Sequence, residues 1–211
     1  MALRGAHELA AAAAATPNAT YKAMADRVYI PYDAALDYHP EFVGWNESAA
    51  AAGALKIKQA DAILMQYPLR FPMNSSTAAN DMRIYDHATG SSAQGIAVAM
   101  DWAVIAINHR DLGQEDKAAH YFKRAYNTTR APFYEWHEQV APEGSNGQGA
   151  PNFVTGAGGF LQAVVNGYGG VRYERVGQLT LRRPRPPPNS TALTLRGVHC
   201  PDPPAGAFQR P

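Results

Sequence analysis

The sequence has 211 residues, of which 46% are hydrophobic, so it can form a buried core and is not typical of a disordered chain. Its 19 basic and 18 acidic residues give a net charge of +1, and neither sign forms a long run. We therefore expect neither nucleic acid nor a membrane as a partner. No uncharged apolar run reaches the roughly 18 residues that cross a bilayer. The single cysteine, Cys200, excludes an internal disulfide and a cysteine-based zinc cluster.

The first part of the chain has a helical spacing of apolar residues, interrupted by prolines. The alanine-rich segment around residues 10–15 predicts a helix rather than a signal peptide, because it contains few strong hydrophobes. Apolar residues three and four positions apart between Tyr21 and Val28 predict a second helix with a buried stripe. The same spacing predicts a third helix from Ile57 to Tyr67, which Pro68 ends.

The middle of the chain continues this helical pattern. Ser75 and Ser76 are candidate caps of a helix that extends to about residue 88, and another helix is expected over about 93–107. The short link at 111–113 makes that helix an antiparallel neighbour of the next one. The apolar stripe of this next helix comprises Ala118, Tyr121, Phe122 and Ala125. Residues 160–165 are apolar nearly all round, which predicts a short interior segment.

Two segments between the helices, 29–53 and 131–159, are long and rich in aromatic and polar residues. Loops of this length in compact domains are usually functional. Tyr, Trp, His and Glu side chains suit a sugar site, since aromatic faces cover the C–H surface of a pyranose. The alternative interpretation is that the aromatic residues pin the loops to the helices.

The composition changes near residue 176, where an Arg- and Pro-rich run begins. The alternating segment 191–198 predicts a strand, and a strand requires partner strands that this sequence does not offer. We therefore expect the chain to be a fragment of a larger architecture.

The sequence contains none of the HExxH, GxxxxGK[ST] or GxSxG motifs, and its histidines lack metal-ligand spacing. No cofactor and no metal are therefore expected. The glycines at 156, 158 and 159 are interpreted as close-packing residues rather than a dinucleotide loop.

Carboxylates remain as candidates for chemistry. Glu135 and Glu138 flank Trp136 and His137, and an aromatic ring beside a carboxylate can serve carbohydrate cleavage. From the residues alone, each glutamate could equally be a solvated surface group. In the same way, Lys58 and Gln59 either form an exposed polar face or point at a ligand.

The order of several motifs resembles glycoside hydrolase family 65, and in particular its hydrolase branch, which includes hydroxylysine-linked glucosidases and acid trehalases. The resemblance extends from about residue 21 to 172. It depends on five segments: Lys58-Gln59-Ala60-Asp61, Tyr67-Pro68-Leu69, Ala131-Pro132-Phe133, Trp136-His137-Glu138 and the glycine-rich run from Phe153 to Arg172. Tyr29-Ile30-Pro31-Tyr32-Asp33 and His39-Pro40-Glu41 are similar to the hydroxylysine-glucosidase members.

This resemblance implies an all-α class with the later helices of an (α/α)6 barrel, followed by the start of a small truncated β-region. Residues 1–175 would be the C-terminal part of the catalytic barrel. Residues 176–211 would be a linker and the first strands of a truncated β-sandwich. The upstream part of the catalytic domain, which carries the general acid of the family, would be absent from this chain.

The resemblance also implies an inverting hydrolase that releases glucose from an α-glucoside of the glucosyl-galactosyl-hydroxylysine or trehalose type. Glu138 would be the catalytic base, and Lys58, Gln59 and Trp136 would bind the sugar. A carbohydrate is then the expected partner. Because an inverting site needs two carboxyl groups, this chain alone is expected to be inactive.

Two other functions stay open from the sequence. Ser91 and Ser92 lie near the position of the phosphate-binding loop of family phosphorylases, so a disaccharide phosphorylase is one alternative. A non-catalytic helical fragment is the other. Five sequons, at Asn18, Asn46, Asn74, Asn127 and Asn189, favour a secretory or vacuolar route, although a cytosolic location is compatible with the resemblance.

Overall fold

The computed structural model describes residues 2–51, 57, 59, 61–86, 98–139, 148–175 and 178–198. Two short helices open the chain, α1 (Ala2–Ala12) and α2 (Ala19–Arg27), and they pack against each other. Asn18 caps α2 through its side chain, which accepts a hydrogen bond from the Thr20 amide at 2.9 Å. An ion pair between Arg4 and Asp26 at 2.6 Å joins the two helices at the surface.

The buried stripe predicted for the second helix is wrong. No residue of α2 is buried, and Tyr21, Met24 and Val28 are each more than 40% exposed. Among the described elements, α1 is the main neighbour of α2, and α1 is too short and too alanine-rich to cover an apolar face. The helical spacing correctly predicted the helix, but it wrongly predicted that the apolar face of this helix is buried.

The described part of the segment 29–53, residues 29–51, is largely irregular, with one isolated bridge between Asp33 and Tyr38 and the short helix α3 (Glu47–Ala51). Tyr38 and Trp45 are buried edge to face, with ring centroids 6.1 Å apart. These two aromatic residues therefore pin the loop to the core, as the alternative interpretation of this loop required.

The helix predicted from Ile57 to Tyr67 is wrong in extent. Residues 57 and 59 are not helical, and the described residues of this segment form a single 3-10 turn, over Ala62–Met65. The apolar residues still serve the core, since Ile57, Ile63 and Tyr67 are buried. Of the predicted stripe, Ile57 and Tyr67 are buried and Leu64 is half-buried, so the spacing indicated burial correctly at two positions and the helix type incorrectly.

The N-cap of helix α4 (Ser75–Tyr85) lies one residue before the two predicted serine caps, so the prediction of Ser75 or Ser76 as the cap is wrong. Its N-cap is Asn74, whose side-chain oxygen accepts the amide of Thr77 at 2.7 Å. Asn and Ser are both good caps, so composition alone did not separate them. The predicted continuation to residue 88 reaches beyond the described residues.

Helix α5 (Ala99–Asp111) is the centre of the fold. It contacts α4, the 3-10 turn, helix α6 (Glu115–Tyr126), helix α7 (Val154–Gln162) and the π-helical turn Ala163–Tyr168 that continues α7. Ten of its thirteen residues are buried, including polar ones, as expected for a helix surrounded by other elements. The predicted pairing of this helix with the next one is confirmed, and the four stripe residues of α6 are all buried.

The long segment after α6 is not the loop that the sequence predicted. It forms a three-stranded antiparallel sheet, β1 (Thr129–Arg130), β2 (Glu135–Gln139) and β3 (Gln148–Pro151), followed directly by α7. The strands have two, five and four residues, so alternation over such short stretches is weak in the sequence. The interior position predicted for 160–165 is wrong for Leu161, which is 62% exposed.

The C-terminal part contains one hairpin, β4 (Val171–Arg175) and β5 (Gln178–Leu181). It begins before the predicted boundary at 176. The strand predicted over 191–198 is wrong, because these described residues have no strand partner. Leu193 and Leu195 instead line an apolar cavity of about 590 Å³ beside the hairpin.

The described residues are thus helix-rich with two small sheets. The prediction of a mainly helical fold is confirmed, and the prediction of an all-α class is wrong. The (α/α)6 barrel stays a prediction.

Candidate active site

Glu138 lies on strand β2 and not in a loop. The strand is held on one side by β1 and on the other by β3. Its carboxylate is half-buried, and Oε2 accepts a hydrogen bond from the Ala150 amide on β3 at 3.3 Å. The candidate base is therefore fixed to a sheet, which restricts its side chain more than a loop would.

The local sequence of β3 explains this position. Three residues of β2, from His137 to Gln139, face four of β3, from Pro151 to Gln148, so the register shifts between the strands. Gly149 lies in this irregular part with φ +78°, a left-handed conformation that glycine adopts without strain. A Cβ atom on Gly149 would lie 2.6 Å from Cβ of Glu138, so only glycine leaves room for the carboxylate.

Trp136 precedes Glu138 by two residues and therefore projects from the same face of β2. Its Nε1 donates to the backbone oxygen of Ala125 on α6 at 3.0 Å, and its ring lies 5.6 Å from that of Phe160 on α7. The indole thus fastens the strand that carries Glu138 to two helices. His137 faces the opposite side, where it is buried and its Nε2 lies 3.3 Å from Oε1 of Glu135.

Two glycines allow α7 to approach α5 and the sheet closely. A Cβ atom on Gly156 would lie 2.8 Å from Cβ of Ala99, and one on Gly159 would lie 3.1 Å from Cβ of Ala103. The close-packing role predicted for these two glycines is confirmed. It is wrong for Gly158, where a Cβ would have no neighbour within 4 Å.

The second candidate segment contains Lys58 and Gln59. Lys58 lies outside the described residues. Gln59 is exposed in a bend, so its side chain is not occupied with packing against the core. The end of this segment is tied to α7, since the Tyr67 hydroxyl donates to Oε1 of Gln162 at 2.8 Å. Two of the motifs that carried the family resemblance are therefore in direct contact.

Helix α4 anchors two parts of the chain that precede it, the loop that contains His39 and the segment that contains Ala62. Asp81 accepts the His39 amide at 2.7 Å through Oδ1 and is hydrogen-bonded to Nδ1 of His39 at 2.9 Å through Oδ2. One turn later, the Tyr85 hydroxyl accepts the Ala62 amide at 2.7 Å. Positions i and i+4 lie on one helix face, so a single face fixes both chain segments.

Glu41 lies where those two segments meet. Its Oε1 accepts the same Ala62 amide at 3.3 Å. Burial raises the pKa of the Glu41 carboxyl group to about 7, and the nearby charge of Asp61 acts in the same direction. Glu41, Asp81 and Tyr85 were not singled out as site residues from the sequence. The segment His39-Pro40-Glu41 was the only signal for them, and it carried no indication of a role.

A further polar cluster joins α4, α5 and α6. Asp86 follows α4, and its Oδ1 lies 3.0 Å from Nε2 of the fully buried His109, while Oδ2 accepts Nζ of Lys117 at 2.7 Å. The His109 ring stacks on Tyr121 with centroids 5.5 Å apart. Burial opposes ionisation of Asp86, but the hydrogen bonds from His109 and Lys117 outweigh it and lower its pKa.

Among the described residues, no group of three or more His, Cys, Asp or Glu side chains could hold a metal ion. No helix in the described part of the chain is long and apolar enough to span a membrane. Ser91 and Ser92, the candidates for a phosphate loop, lie outside the described residues.

Comparison with known proteins identifies relatives along most of the chain. It is 36% identical over 196 residues to protein-glucosylgalactosylhydroxylysine glucosidase of Danio rerio, which covers 93% of this chain. It is 34% identical over 142 residues to kojibiose hydrolase of Flavobacterium johnsoniae and 33% identical over 154 residues to the periplasmic acid trehalase of Saccharomyces cerevisiae. These alignments cover 67% and 69% of this chain. No protein-family model matches the chain.

This chain belongs to glycoside hydrolase family 65. The resemblance drawn from the ordered motifs is thereby confirmed. The chain spans 27% of the length of the Danio rerio relative, 20% of the Flavobacterium johnsoniae relative and 12% of the Saccharomyces cerevisiae relative.

The described site features of this family 65 chain lie in two groups. Glu138 and Trp136 share a strand face next to α7, and Gln59 and Glu41 lie on the segments that α4 anchors. Helix α5 contacts elements of both groups, namely β2, α7, α4 and the 3-10 turn.

Proposed function

We propose that this family 65 chain contributes to an inverting glycoside hydrolase that releases glucose from an α-glucoside, with Glu138 as the general base. The observation that carries the proposal is the position of Glu138: its carboxylate accepts the Ala150 amide of β3, and its own strand, β2, is fastened to α6 by Trp136. The three named relatives are a glucosidase, a kojibiose hydrolase and a trehalase, which supports hydrolysis as the reaction class.

In an inverting reaction, one carboxylic acid protonates the leaving oxygen while a carboxylate on the other ring face removes a proton from water. The two carboxyl groups are about 6.5–9.5 Å apart, which leaves room for the water. Glu138 takes the second role. The oxygen of that water forms the new bond to the anomeric carbon as the bond from this carbon to the leaving oxygen breaks, and one proton of the water goes to the Glu138 carboxylate. The acid comes from a segment outside this chain.

Lys58 and Gln59 bind hydroxyl groups of the glucose that is released. A lysine ammonium donates and a glutamine amide both donates and accepts, so the pair can read neighbouring hydroxyls. The exposure of Gln59 in its bend is compatible with this role. Trp136 forms part of the wall beside Glu138 and keeps its strand in place.

The proposed substrate is a glucosyl-galactosyl-hydroxylysine or a trehalose-type α-glucoside. The name of the Danio rerio relative supports the first and that of the yeast relative the second. For the architecture, we propose that residues 1–175 form the later helices of an (α/α)6 barrel. Residues 176–211 then form a linker and the first strands of a β-sandwich, with β4 and β5 at the junction.

The test uses a hybrid enzyme in which this chain replaces the matched segment of the Danio rerio relative. The hybrid is incubated with glucosyl-galactosyl-hydroxylysine, kojibiose and trehalose, with and without inorganic phosphate. We expect free glucose from at least one substrate, in amounts that do not depend on phosphate. Proton NMR of the first product is expected to show β-glucose, because inversion converts an α-linkage into the β-anomer.

Glucose 1-phosphate formed only with phosphate would favour the phosphorylase alternative. Absence of glucose and of glucose 1-phosphate from a folded hybrid would favour the non-catalytic alternative. The 211-residue chain assayed alone is expected to release no glucose, and turnover by it would contradict the assignment of the acid to another segment.

A further inference from the structure

The junction between the loop 38–41 and the segment 57–62 is built from buried groups that the proposed catalytic step does not use. Tyr38 and His39 are buried on the loop side, and Ile57 and Ile63 are buried on the other side. Each side is fastened to α4 separately, the loop by Asp81 and the segment by Tyr85. Among the described residues, a hydrogen bond from the Ala62 amide to Oε1 of Glu41 joins the two sides.

The Ala62 amide is the first N–H of the 3-10 turn Ala62–Met65, so no residue of that turn can accept it. It points at two acceptors, the Tyr85 hydroxyl at 2.7 Å and Glu41 at 3.3 Å. The chain immediately before this amide carries the exposed Gln59. The position of Gln59 therefore depends on how this amide is held.

We propose that Glu41 is a positioning residue, which fixes the position of Gln59 through its contact with the Ala62 amide and so sets the affinity of the site for glucose. This inference rests on the proposed function, because it takes Lys58 and Gln59 as the residues that bind the sugar. Glu41 itself acts through the segment and does not take part in the chemical step.

The protonation state of Glu41 matters for this role. Its pKa is raised to about 7 by burial, so the carboxyl group is neutral in mild acid and gains a charge as the pH rises above neutrality. Among the described residues, the groups that face it are the Asp61 carboxylate on the segment and the Tyr85 hydroxyl from α4. The His39–Asp81 pair anchors its own loop. The cost of burying a negative Glu41, to which repulsion from Asp61 adds, outweighs its hydrogen bond with the Ala62 amide and loosens the junction.

The experiment compares variants of the hybrid enzyme. Glu41→Ala removes the acceptor, and Glu41→Gln keeps an oxygen acceptor but cannot ionise. Glu47→Gln is the matched control, since Glu47 lies on the adjacent α3 and pairs with Arg83 at 3.2 Å, away from the Ala62 amide. The readouts are kcat and KM for the hydrolysed disaccharide, the inhibition constant of free glucose, and hydrogen exchange in the peptide that contains Ala62.

For Glu41→Ala, we expect KM and the glucose inhibition constant to rise about tenfold while kcat changes less, because sugar binding and not proton transfer is affected. Hydrogen exchange at the Ala62 peptide should become about threefold faster. In the wild-type hybrid the glucose inhibition constant should increase above pH 7, and in Glu41→Gln this increase should be absent. Glu47→Gln should resemble the wild type in every readout.

Two failures can be told apart. If the wild-type hybrid hydrolyses its substrate and Glu41→Ala matches Glu47→Gln in KM, glucose inhibition and exchange, the role of Glu41 is overturned and the proposed function stands. If the wild-type hybrid is folded and inactive, the proposed function fails and the sugar-binding role of Glu41 fails with it. If Glu41→Ala and Glu41→Gln lose kcat and glucose affinity to the same extent, positioning through the Ala62 contact is also overturned.

Discussion

Gly149 and Glu138 lie so close across two strands that a Cβ atom on the glycine would be 2.6 Å from Cβ and 2.8 Å from Oε2 of the glutamate. Side chains cannot tolerate such distances, so any larger residue at 149 must displace the carboxylate or the strand. The hydrogen bond from the next residue, Ala150, to Oε2 completes the arrangement. The orientation of the proposed base is thus determined by a glycine on the neighbouring strand.

Gly149→Ala is therefore expected to lower kcat of the hybrid enzyme about tenfold or more, since small displacements of a catalytic group are costly. The φ of +78° adds strain for alanine at the same position. Steady-state kinetics and far-UV circular dichroism are the measurements, and the helix content should stay the same.

Gly158→Ala is the control for this change, because a Cβ on Gly158 has no neighbour within 4 Å. It should leave kcat near the wild-type value. A Gly149→Ala enzyme with normal kcat would show that the carboxylate tolerates displacement, which would contradict its role as a base.

The packing of α7 on α5 gives a prediction on stability. Gly156→Ala would bring a methyl group to 2.8 Å from Cβ of Ala99 and 3.1 Å from Cδ1 of Trp136. Overpacking of this kind typically costs about 1–3 kcal/mol in the free energy of unfolding. Urea unfolding of the hybrid, followed by tryptophan fluorescence, measures the change.

For comparison, Gly158→Ala on the exposed side of the same helix should be neutral or stabilising by up to about 1 kcal/mol, because alanine is the better helix former. Equal free energies of unfolding for the Gly156→Ala and Gly158→Ala enzymes would mean that the α5–α7 contact is looser than the structure has it.

The buried Asp86 gives a prediction on pH dependence. Its folded pKa is lowered below the ordinary value of 3.8, so its contribution to stability is present above that value and is lost as the pH falls through the folded pKa. Asp86→Asn should reduce the free energy of unfolding by about 2 kcal/mol near neutral pH, because it weakens the bonds with His109 and Lys117.

The difference between wild type and Asp86→Asn should stay constant well above pH 3.8 and shrink as the pH falls below 3.8 and through the lower folded pKa of Asp86, below which both proteins carry a neutral group. Asp26→Asn serves as the control, because Asp26 also pairs with two basic residues, Arg4 and Lys22, but at an exposed position. It should have little effect on stability. A difference for Asp86→Asn that does not depend on pH would exclude its charge as the cause.

Several parts of the fold could be predicted from local sequence. The stripe of α6 was correct because Ala118, Tyr121, Phe122 and Ala125 are buried together, and the link at Gly113 correctly placed α6 beside α5. In both cases the spacing of apolar residues and the turn chemistry agree with the tertiary contacts.

Other parts depend on contacts that local patterns do not encode. The apolar stripe of α2 is exposed because its main neighbour, α1, offers no complementary face. The described residues of the segment 57–67 form a single 3-10 turn, Ala62–Met65. Its first amide, that of Ala62, is held by Tyr85 and Glu41 rather than by a preceding helical turn. Strand β3 has the composition of a loop, and only its pairing with β2 makes it a strand.

The candidate site shows the same division. Glu138, Trp136, Lys58 and Gln59 were found through ordered motifs that resemble a family, and their roles stay proposals. Glu41 was missed as a site residue, because the proposed role depends on its burial and on its contact with the Ala62 amide, which is 21 positions away in sequence. No pattern within a single segment predicts such a contact.

The most direct test of Glu138 as the general base is the kcat of glucose release by the Glu138→Gln hybrid, measured beside Glu135→Gln. Glu135 lies on the same strand, is 44% exposed at its side chain and pairs with His137, so it controls for a change of charge on β2. We predict that Glu138→Gln lowers kcat about a thousandfold, the typical contribution of a general base, while Glu135→Gln stays near the wild-type value. A Glu138→Gln enzyme that releases glucose as fast as the Glu135→Gln enzyme would contradict the assignment.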